Sequence, residues 1–353
     1  MSALTETRNP SLRRLLAGAC TVDDLQALLE TTDPAVEAEL FAAANQVRED
    51  HMGPGVHLRA LIEFSNYCGG GCQYCGLRAE NGDLPRYRMD PEEIAEAARE
   101  ALRLGYRTVV LQSGEDRWYS REIISDLVRR IKTLGDIALT LCLGERPRED
   151  YAAWKEAGAD RYLVRIETSN RALYERLHPG MSFDNRLRCL RDLRELGFQV
   201  GSGVLVGLPD QTPRMLAEDL LFLRDLKADM VGMGPFIPHE QTPLAEVAQG
   251  SVDTVLRMMA LTRLLLPECY VVSTTALGTL DPQGRERGLL AGGNVMMPNC
   301  TPRKYRAMYE IYPNKICLDE EPQQCRGCLT GRIQSIGREI AEDQGNAPWT
   351  EKA

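Results

Sequence analysis

Residues 57–75 read HLRALIEFSNYCGGGCQYC: an apolar run that stops at a loop of three cysteines and three consecutive glycines. The run 57–64 is a candidate strand. The loop after it spaces Cys68, Cys72 and Cys75 as C-x3-C-x2-C. Three thiolates so spaced can ligate three irons of a [4Fe–4S] cube, which leaves the fourth iron open to a small molecule. Gly69, Gly70 and Gly71 have no Cβ, so the loop can wrap closely and offer its amides to sulfur. The bland alternative is a zinc site, but no fourth Cys or His lies nearby to complete one.

Outward from this loop the chain repeats one rhythm. Further candidate strands lie at 107–112, 137–143, 161–166, 199–206, 229–233, 270–275 and 294–297. Helical patterns separate them at 91–104, 120–134, 148–157, 170–196 (broken at Pro179-Gly180), 212–226, 251–266 and 284–291, with a last one at 302–309. Several helices end in Leu-Gly or Ala-Gly, as helix C-termini do. Eight strand–helix alternations in roughly 250 residues predict an α/β fold, a (β/α)8 TIM-type barrel. Doubly wound sheets share the alternation, but the count favours the barrel. The cysteine loop then falls at the strand end where barrels carry their chemistry. Leucines at helical spacing, with starts at Thr21 and at Thr32-Asp33-Pro34, predict an N-terminal helical extension over 1–55. The barrel is expected over 56–310, and a cysteine-bearing C-terminal extension over 311–353 whose tail, from about 337, reads as polar and frayed.

The 353 residues include 42 Lys+Arg and 51 Asp+Glu, a formal net charge of −9. An acidic balance without a basic block argues against nucleic acid as the main partner. Apolar stretches such as 101–111 are broken by Arg or Gly, so no membrane span is expected. Residues 1–10 lack the apolar core of a signal peptide, and a cytoplasmic location is expected. Eleven cysteines in such a chain read as free, catalytic or metal-bound rather than as a disulfide framework.

The cysteine spacing followed by alternating strands and helices resembles the radical S-adenosylmethionine superfamily. The stretches IEFSNYC, CGLR, RYRM, VLQSGED, WKEAGADRYLVRIETSN, VGLPDQT, DMVGMGPFIPH, TTALGT and MPNCTP resemble more narrowly the HydE-type maturases of [FeFe]-hydrogenase. That resemblance runs from about Leu58 to Cys328. It implies a barrel that binds a [4Fe–4S] cluster with one open iron, on Cys68, Cys72 and Cys75, together with S-adenosyl-L-methionine. Cleavage to a 5′-deoxyadenosyl radical would then serve assembly of the hydrogenase di-iron subsite. The substrate would be a small molecule or an organometallic iron species, and the partners other hydrogenase maturation proteins and an electron donor. Gln112, Ser113, Glu167 and Arg186 would contact the cofactor, Glu167 on ribose hydroxyls and Arg186 on the methionine carboxylate. Gly201-Ser202-Gly203 and Val206-Gly207-Leu208-Pro209 would bring bare backbone towards the adenine. The substrate cavity would involve Arg59, Arg165, Met230, Thr274, Thr275, Tyr309 and Tyr312. Ile166 stands where some members are expected to have His, which would remove a donor from the cavity wall. A biotin-synthase-like or methylornithine-synthase-like enzyme, or a non-catalytic iron–sulfur carrier, are the competing readings.

Other residues are read on their own chemistry. Arg59 inside strand one and Arg165 inside strand four are guanidiniums in a barrel core. Each needs an anion there, either Glu63 or Glu167, or a bound ligand. Thr274-Thr275 could be residues that simply suit a strand, or hydroxyls for a small polar ligand. Cys317, Cys325 and Cys328 could hold an auxiliary iron–sulfur cluster, a zinc ion or nothing. Cys20, Cys142, Cys189 and Cys269 read as small core residues, and Cys300 as pocket lining. Glu145 either faces the cofactor or caps a helix. Of His51, His57, His178 and His239, only His239 is a pocket candidate.

Overall fold

Alternation along the first strand decides what the barrel contains. In the computed structural model, which describes residues 7–350, β1 spans Gly55–Ser65. Val56, Ala60, Ile62 and Phe64 pack outward against helices and are fully buried. His57, Arg59, Leu61 and Glu63 share the other face, two residues apart, and point into the barrel. Seven more parallel strands follow: β2 Thr108–Ser113, β3 Ala138–Cys142, β4 Arg161–Leu163, β5 Gln199–Ser202, β6 Met230–Gly232, β7 Tyr270–Val272 and β8 Val295–Met296. β8 returns to β1, with His57 opposite Val295 and Leu58 opposite Met296, and the eight strands close. Strands buried on both faces read as near-continuous apolar runs, which is why all eight were visible in the sequence.

The helices begin and end where local chemistry dictates. Asp90 caps Pro91–Arg103 through a capping box with Glu93, and Ser120 caps Arg121–Lys132. Gly105, Gly158 and Gly197 end helices at φ +82°, +111° and +78°. The N-terminal region forms three helices, Pro10–Leu16, Val22–Leu29 and Pro34–Met52, the last two capped by Thr21 and Asp33 as expected.

The structure shortens several elements. The strand expected over 161–166 is regular only to Leu163, because Glu167 turns at φ +64° and bridges to Val204 instead. The strand expected over 199–206 breaks at Gly203, where a Cβ would lie 1.8 Å from the Gly232 carbonyl oxygen. Its remainder, Leu205–Val206, pairs with Gly234–Pro235. β7 ends at Val272, and Thr274 starts an unexpected helix, Thr275–Leu280. The last barrel helix is a single turn, Arg303–Arg306.

The tail is a correction of a different kind. Residues 338–350 are ordered rather than frayed. After the helix Pro322–Ser335, Glu339–Ile340 adds a parallel strand to the start of β1. Residues 343–349 then cross the barrel at the N-terminal ends of its strands. Arg161 donates to the carbonyls of Gln344 (2.8 Å) and Gly345 (2.9 Å) and to Asn346 Oδ1 (2.7 Å). Gln199, Thr108 and Tyr270 add further bonds, and Trp349 Nε1 donates to Asp229 at 2.6 Å. Polarity here marks a segment that satisfies buried guanidiniums, because a buried cation without acceptors is prohibitive.

Candidate active site

The cysteine loop leaves β1 at the opposite end from the tail. Gly69 N donates to the Glu115 carbonyl and Gly114 N to the Ser65 carbonyl, which ties this loop to the one after β2. Gly114 has to be glycine, since a Cβ would stand 2.2 Å from the Tyr67 carbonyl oxygen. The thiols converge. A Cβ built on Gly70 would lie 3.5 Å from Cys68 Sγ and 3.7 Å from Cys72 Sγ, so a bare backbone leaves the space between the sulfurs open. The amides of Gly70 and Glu115 both point at Cys68 Sγ, each at 3.4 Å. Cys72 and Cys75 face the barrel cavity. Burial, and then the neighbouring thiols, push Cys72 well above the usual thiol range; burial pushes Cys75 to about 12. Three thiolates therefore belong together here only when cations draw off their protons. A cluster whose irons each take one sulfur fits the trio.

Below the loop lies a cavity of about 340 Å³, in the range of small-ligand sites. Gln112, Arg165, Glu167, Met230, Thr274, Thr275 and Tyr312 line it, with Glu63, Tyr74 and Lys315. Arg165 meets Glu167 at 3.0 Å, and its Nη2 donates to the Val204 carbonyl. Glu167 Oε2 has no hydrogen-bond partner, because that close approach is not in donor alignment. Thr274 Oγ1 is buried and also unpartnered. Glu167 holds the left-handed backbone conformation, a strain that side chains accept where the surroundings demand a fixed orientation. Gln112 Nε2 donates to Tyr309 OH at 3.2 Å, so Tyr309 stands behind Gln112 rather than in the wall.

Some expected residues lie elsewhere. Arg59 is not in this cavity. It sits near the barrel base beside Arg161, its Nη1 on Met230 Sδ at 3.0 Å, its Nη2 on the Gly345 carbonyl, and its guanidinium carbon 4.7 Å from the Tyr270 ring centroid. Burial and the Arg161 charge lower it to about 9. Neither Glu63 nor Glu167 pairs with it: Glu63 binds Lys315, and Glu167 takes Arg165. Ser113 donates to the Gly114 carbonyl within its own turn. Arg186 Nε is bound to Glu145 at 2.6 Å, both side chains buried, and Nη1 donates to the Arg165 carbonyl, which leaves Nη2 and the second N–H of Nη1 as its remaining donors. Glu145 is thus neither a cap nor a free wall carboxylate. Ile166 is fully buried in the apolar core, so no donor is missing from the cavity wall. Cys300 is also core, near Tyr106, rather than pocket lining. His239 is buried against Gly76 and outside the wall.

Lys315 and Tyr74 are wall residues that sequence reasoning missed. Lys315 carried no motif, and it reaches Glu63 across 252 positions. Tyr74, between two cysteines, bonds His178 Nε2 at 2.8 Å; His178 Nδ1 meets the Tyr174 carbonyl at 2.7 Å and so carries the ring proton. Among the C-terminal cysteines, Arg285 donates to Cys317 Sγ at 3.4 Å. Cys325 donates to it too, so Cys317 is drawn below the ordinary thiol range. Cys328 is exposed one turn further along the helix.

The fold and the thiol loop define a class, and comparison with known proteins agrees. The Radical SAM superfamily model matches residues 62–275, so the chain belongs to the radical S-adenosylmethionine superfamily, whose members use a [4Fe–4S] cluster and S-adenosylmethionine. Within it, the chain is a HydE-type homologue, 50% identical to the [FeFe] hydrogenase maturase subunit HydE of Thermotoga maritima over 95% of this chain and 96% of that one. It is also 30% identical to the 3-methylornithine synthase of Methanosarcina acetivorans, over 78% of each. Solved folds agree. Methylornithine synthase (PylB) superposes with a TM-score of 0.83 at 24% identity, covering 96% of this chain and 98% of that one. The maturase HydG of Carboxydothermus hydrogenoformans gives 0.78 at 21% identity, covering 92% and 77%.

Proposed function

We propose that this radical S-adenosylmethionine enzyme works as a HydE-type maturase, in assembly of the di-iron subsite of [FeFe]-hydrogenase. The 50% identity spanning nearly the whole of both chains carries the reading. A bound, reduced [4Fe–4S] cluster would supply the single electron needed to split S-adenosylmethionine into methionine and the 5′-deoxyadenosyl radical. Cys68, Cys72 and Cys75 would hold three irons, and the amides of Gly70 and Glu115 would offset charge on Cys68. Glu167 would accept from ribose hydroxyls with its unpartnered oxygen, and Arg186 would offer Nη2 to the methionine carboxylate. Arg165, Lys315, Thr274, Thr275, Tyr312 and Met230 would surround the substrate. Two ion pairs, Arg165–Glu167 and Lys315–Glu63, and an unmatched hydroxyl suit a small polar species, such as a cysteine-bound iron compound. Arg59 would act from beneath by supporting Met230.

Other maturation proteins and a one-electron donor would be the partners, in the cytoplasm. No helix among the described residues is long and apolar enough to cross a membrane. Cys317, Cys325 and Cys328 would form an auxiliary site dispensable for the radical step.

Anaerobic reconstitution followed by dithionite and S-adenosylmethionine should yield 5′-deoxyadenosine. Cys72→Ser should abolish it, whereas Cys328→Ser should not. Expression in a cell whose own HydE gene is deleted should restore hydrogenase activity. Cleavage without that restoration would leave the radical enzyme standing and remove the maturase role.

A further inference from the structure

Glu167 reaches into the cavity from a strained turn, so the structure around it has to hold that turn. Its φ of +64° is a conformation a glutamate keeps only where neighbours over-determine it. On one side those neighbours are backbone. Glu167 N donates to the Gly203 carbonyl and Leu205 N donates to the Glu167 carbonyl, both at 3.0 Å. On the other side the chain runs through Thr168 and Ser169 into the helix Arg171–Leu177, which Asn170 caps.

Thr168 and Ser169 are held by Asp219, from the middle of the helix Pro213–Asp225. Asp219 Oδ1 accepts three hydrogen bonds: from Ser169 N at 2.5 Å, from Ser169 Oγ at 2.6 Å and from Thr168 Oγ1 at 3.4 Å. Asp219 and Thr168 are fully buried. The other charged groups of that helix pair outward, Arg214 with Asp23 and Glu218, and Arg224 with Asp225. Asp219 itself makes no ion pair among the described residues. A carboxyl group in an apolar interior without a cation is expensive, and the three donors offset that cost. Oδ2 has no partner. Burial lifts the carboxyl to about 7, so near neutrality Asp219 accepts through Oδ1 with or without a proton on Oδ2.

Packing alone does not call for a carboxyl group here. Leu216, Ala217, Leu220 and Leu223 already bury the inner face of the helix, and Thr212 caps its start. What Asp219 adds is direction. It draws Ser169 to the helix and so fixes where the chain goes after Glu167. At the end of that lever is Glu167 Oε2, buried and unpartnered.

We propose that Asp219 is a positioning residue for S-adenosylmethionine: by holding Thr168 and Ser169 it aims Glu167 at the ribose hydroxyls. It touches neither cofactor nor substrate. A carboxylate held still favours a hydroxyl in one place, so Asp219 sets how strongly the site tells a ribose from a deoxyribose. The proposal rests on the assignment of Glu167 to the ribose.

Calorimetric titration of oxidised, cluster-loaded protein, which binds without cleaving, compares S-adenosylmethionine with its 2′-deoxy and 3′-deoxy forms. The parent should bind at least one deoxy form about tenfold more weakly, the size of one hydrogen bond to a charged group. Asp219→Leu should bind S-adenosylmethionine about as weakly as the parent binds that deoxy form, and should bind the deoxy form as the parent does. Asp219→Asn, which keeps an acceptor at Oδ1, should recover the preference. Thr168→Val combined with Ser169→Ala removes two of the three donors and should cut the preference at least about threefold; it decides the matter if Asp219→Leu does not fold. Equal weakening of both ligands, an unchanged preference, or no recovery in Asp219→Asn would overturn the proposal and leave Asp219 a support of the fold alone. Glu167→Ala separates this inference from the assignment beneath it. A preference that survives in Glu167→Ala, or is absent from the parent, removes the ribose assignment and the proposal together. A preference lost in Glu167→Ala but kept in Asp219→Leu removes the proposal alone.

Discussion

At the residue scale, Gly114 and His178 show how little space and how few protons the site tolerates. A methyl on Gly114 meets a backbone carbonyl that cannot swing aside, so the two loops around Cys68 must part. Gly114→Ala should cost about 2–3 kcal/mol, as overpacking does, and lower the iron bound per chain. Gly82→Ala, with nothing within 4 Å, should do neither. Urea denaturation and iron assay measure both. His178 is buried and neutral, its pKa lowered by burial to about 4 from an ordinary 6.5. Between those values the unfolded chain binds a proton that the folded chain refuses. Stability is therefore full above pH 6.5 and falls as pH drops towards 4, by about 3 kcal/mol in all. His178→Gln should flatten that part of the urea midpoint profile; an unchanged slope would show that another group is responsible. The cysteines were legible because spacing along the chain is itself the signal. Lys315 and the Glu145–Arg186 pair were not, because their partners are set by folding across tens to hundreds of positions.

At the scale of elements, the eight strands and most helices could be read from apolar runs and caps, since those signals are local. The tail could not. Its residues look like solvent-exposed polar chain, and donors waiting at the barrel base, Arg59 and Arg161 with Thr108 and Tyr270, turn their carbonyls into buried acceptors. Truncation after Ala341 takes from two buried guanidiniums the acceptors that Gln344, Gly345 and Asn346 supply. It should cost at least about 3 kcal/mol, the loss expected when a buried charge is deprived of its partners. Arg161→Met with the tail intact should cost less, since the charge departs with its need for acceptors. Thermal unfolding of both, side by side, checks the order. Thr274-Thr275 make a similar point: strand-favouring residues became the start of a helix because β7 had already ended at Val272.

At the scale of the whole molecule, two cysteines of the thiol loop and the barrel wall line one cavity. Saturating S-adenosylmethionine at 100 times its Kd should stabilise cluster-loaded protein by about 2.7 kcal/mol. Protein carrying Cys72→Ser should gain far less, and equal gains by calorimetry would detach the cofactor from the cysteines. The order in which the pieces meet also has a history. β1 finds its last neighbours only in Val295–Met296 and Glu339–Ile340. At about 5–20 residues per second, roughly 15 to 60 s separate the birth of Gly55 from that of Ile340 on the ribosome. Through that interval one edge of an oily ribbon waits unpaired, and a cell making this protein must shelter it until the final turn of chain arrives.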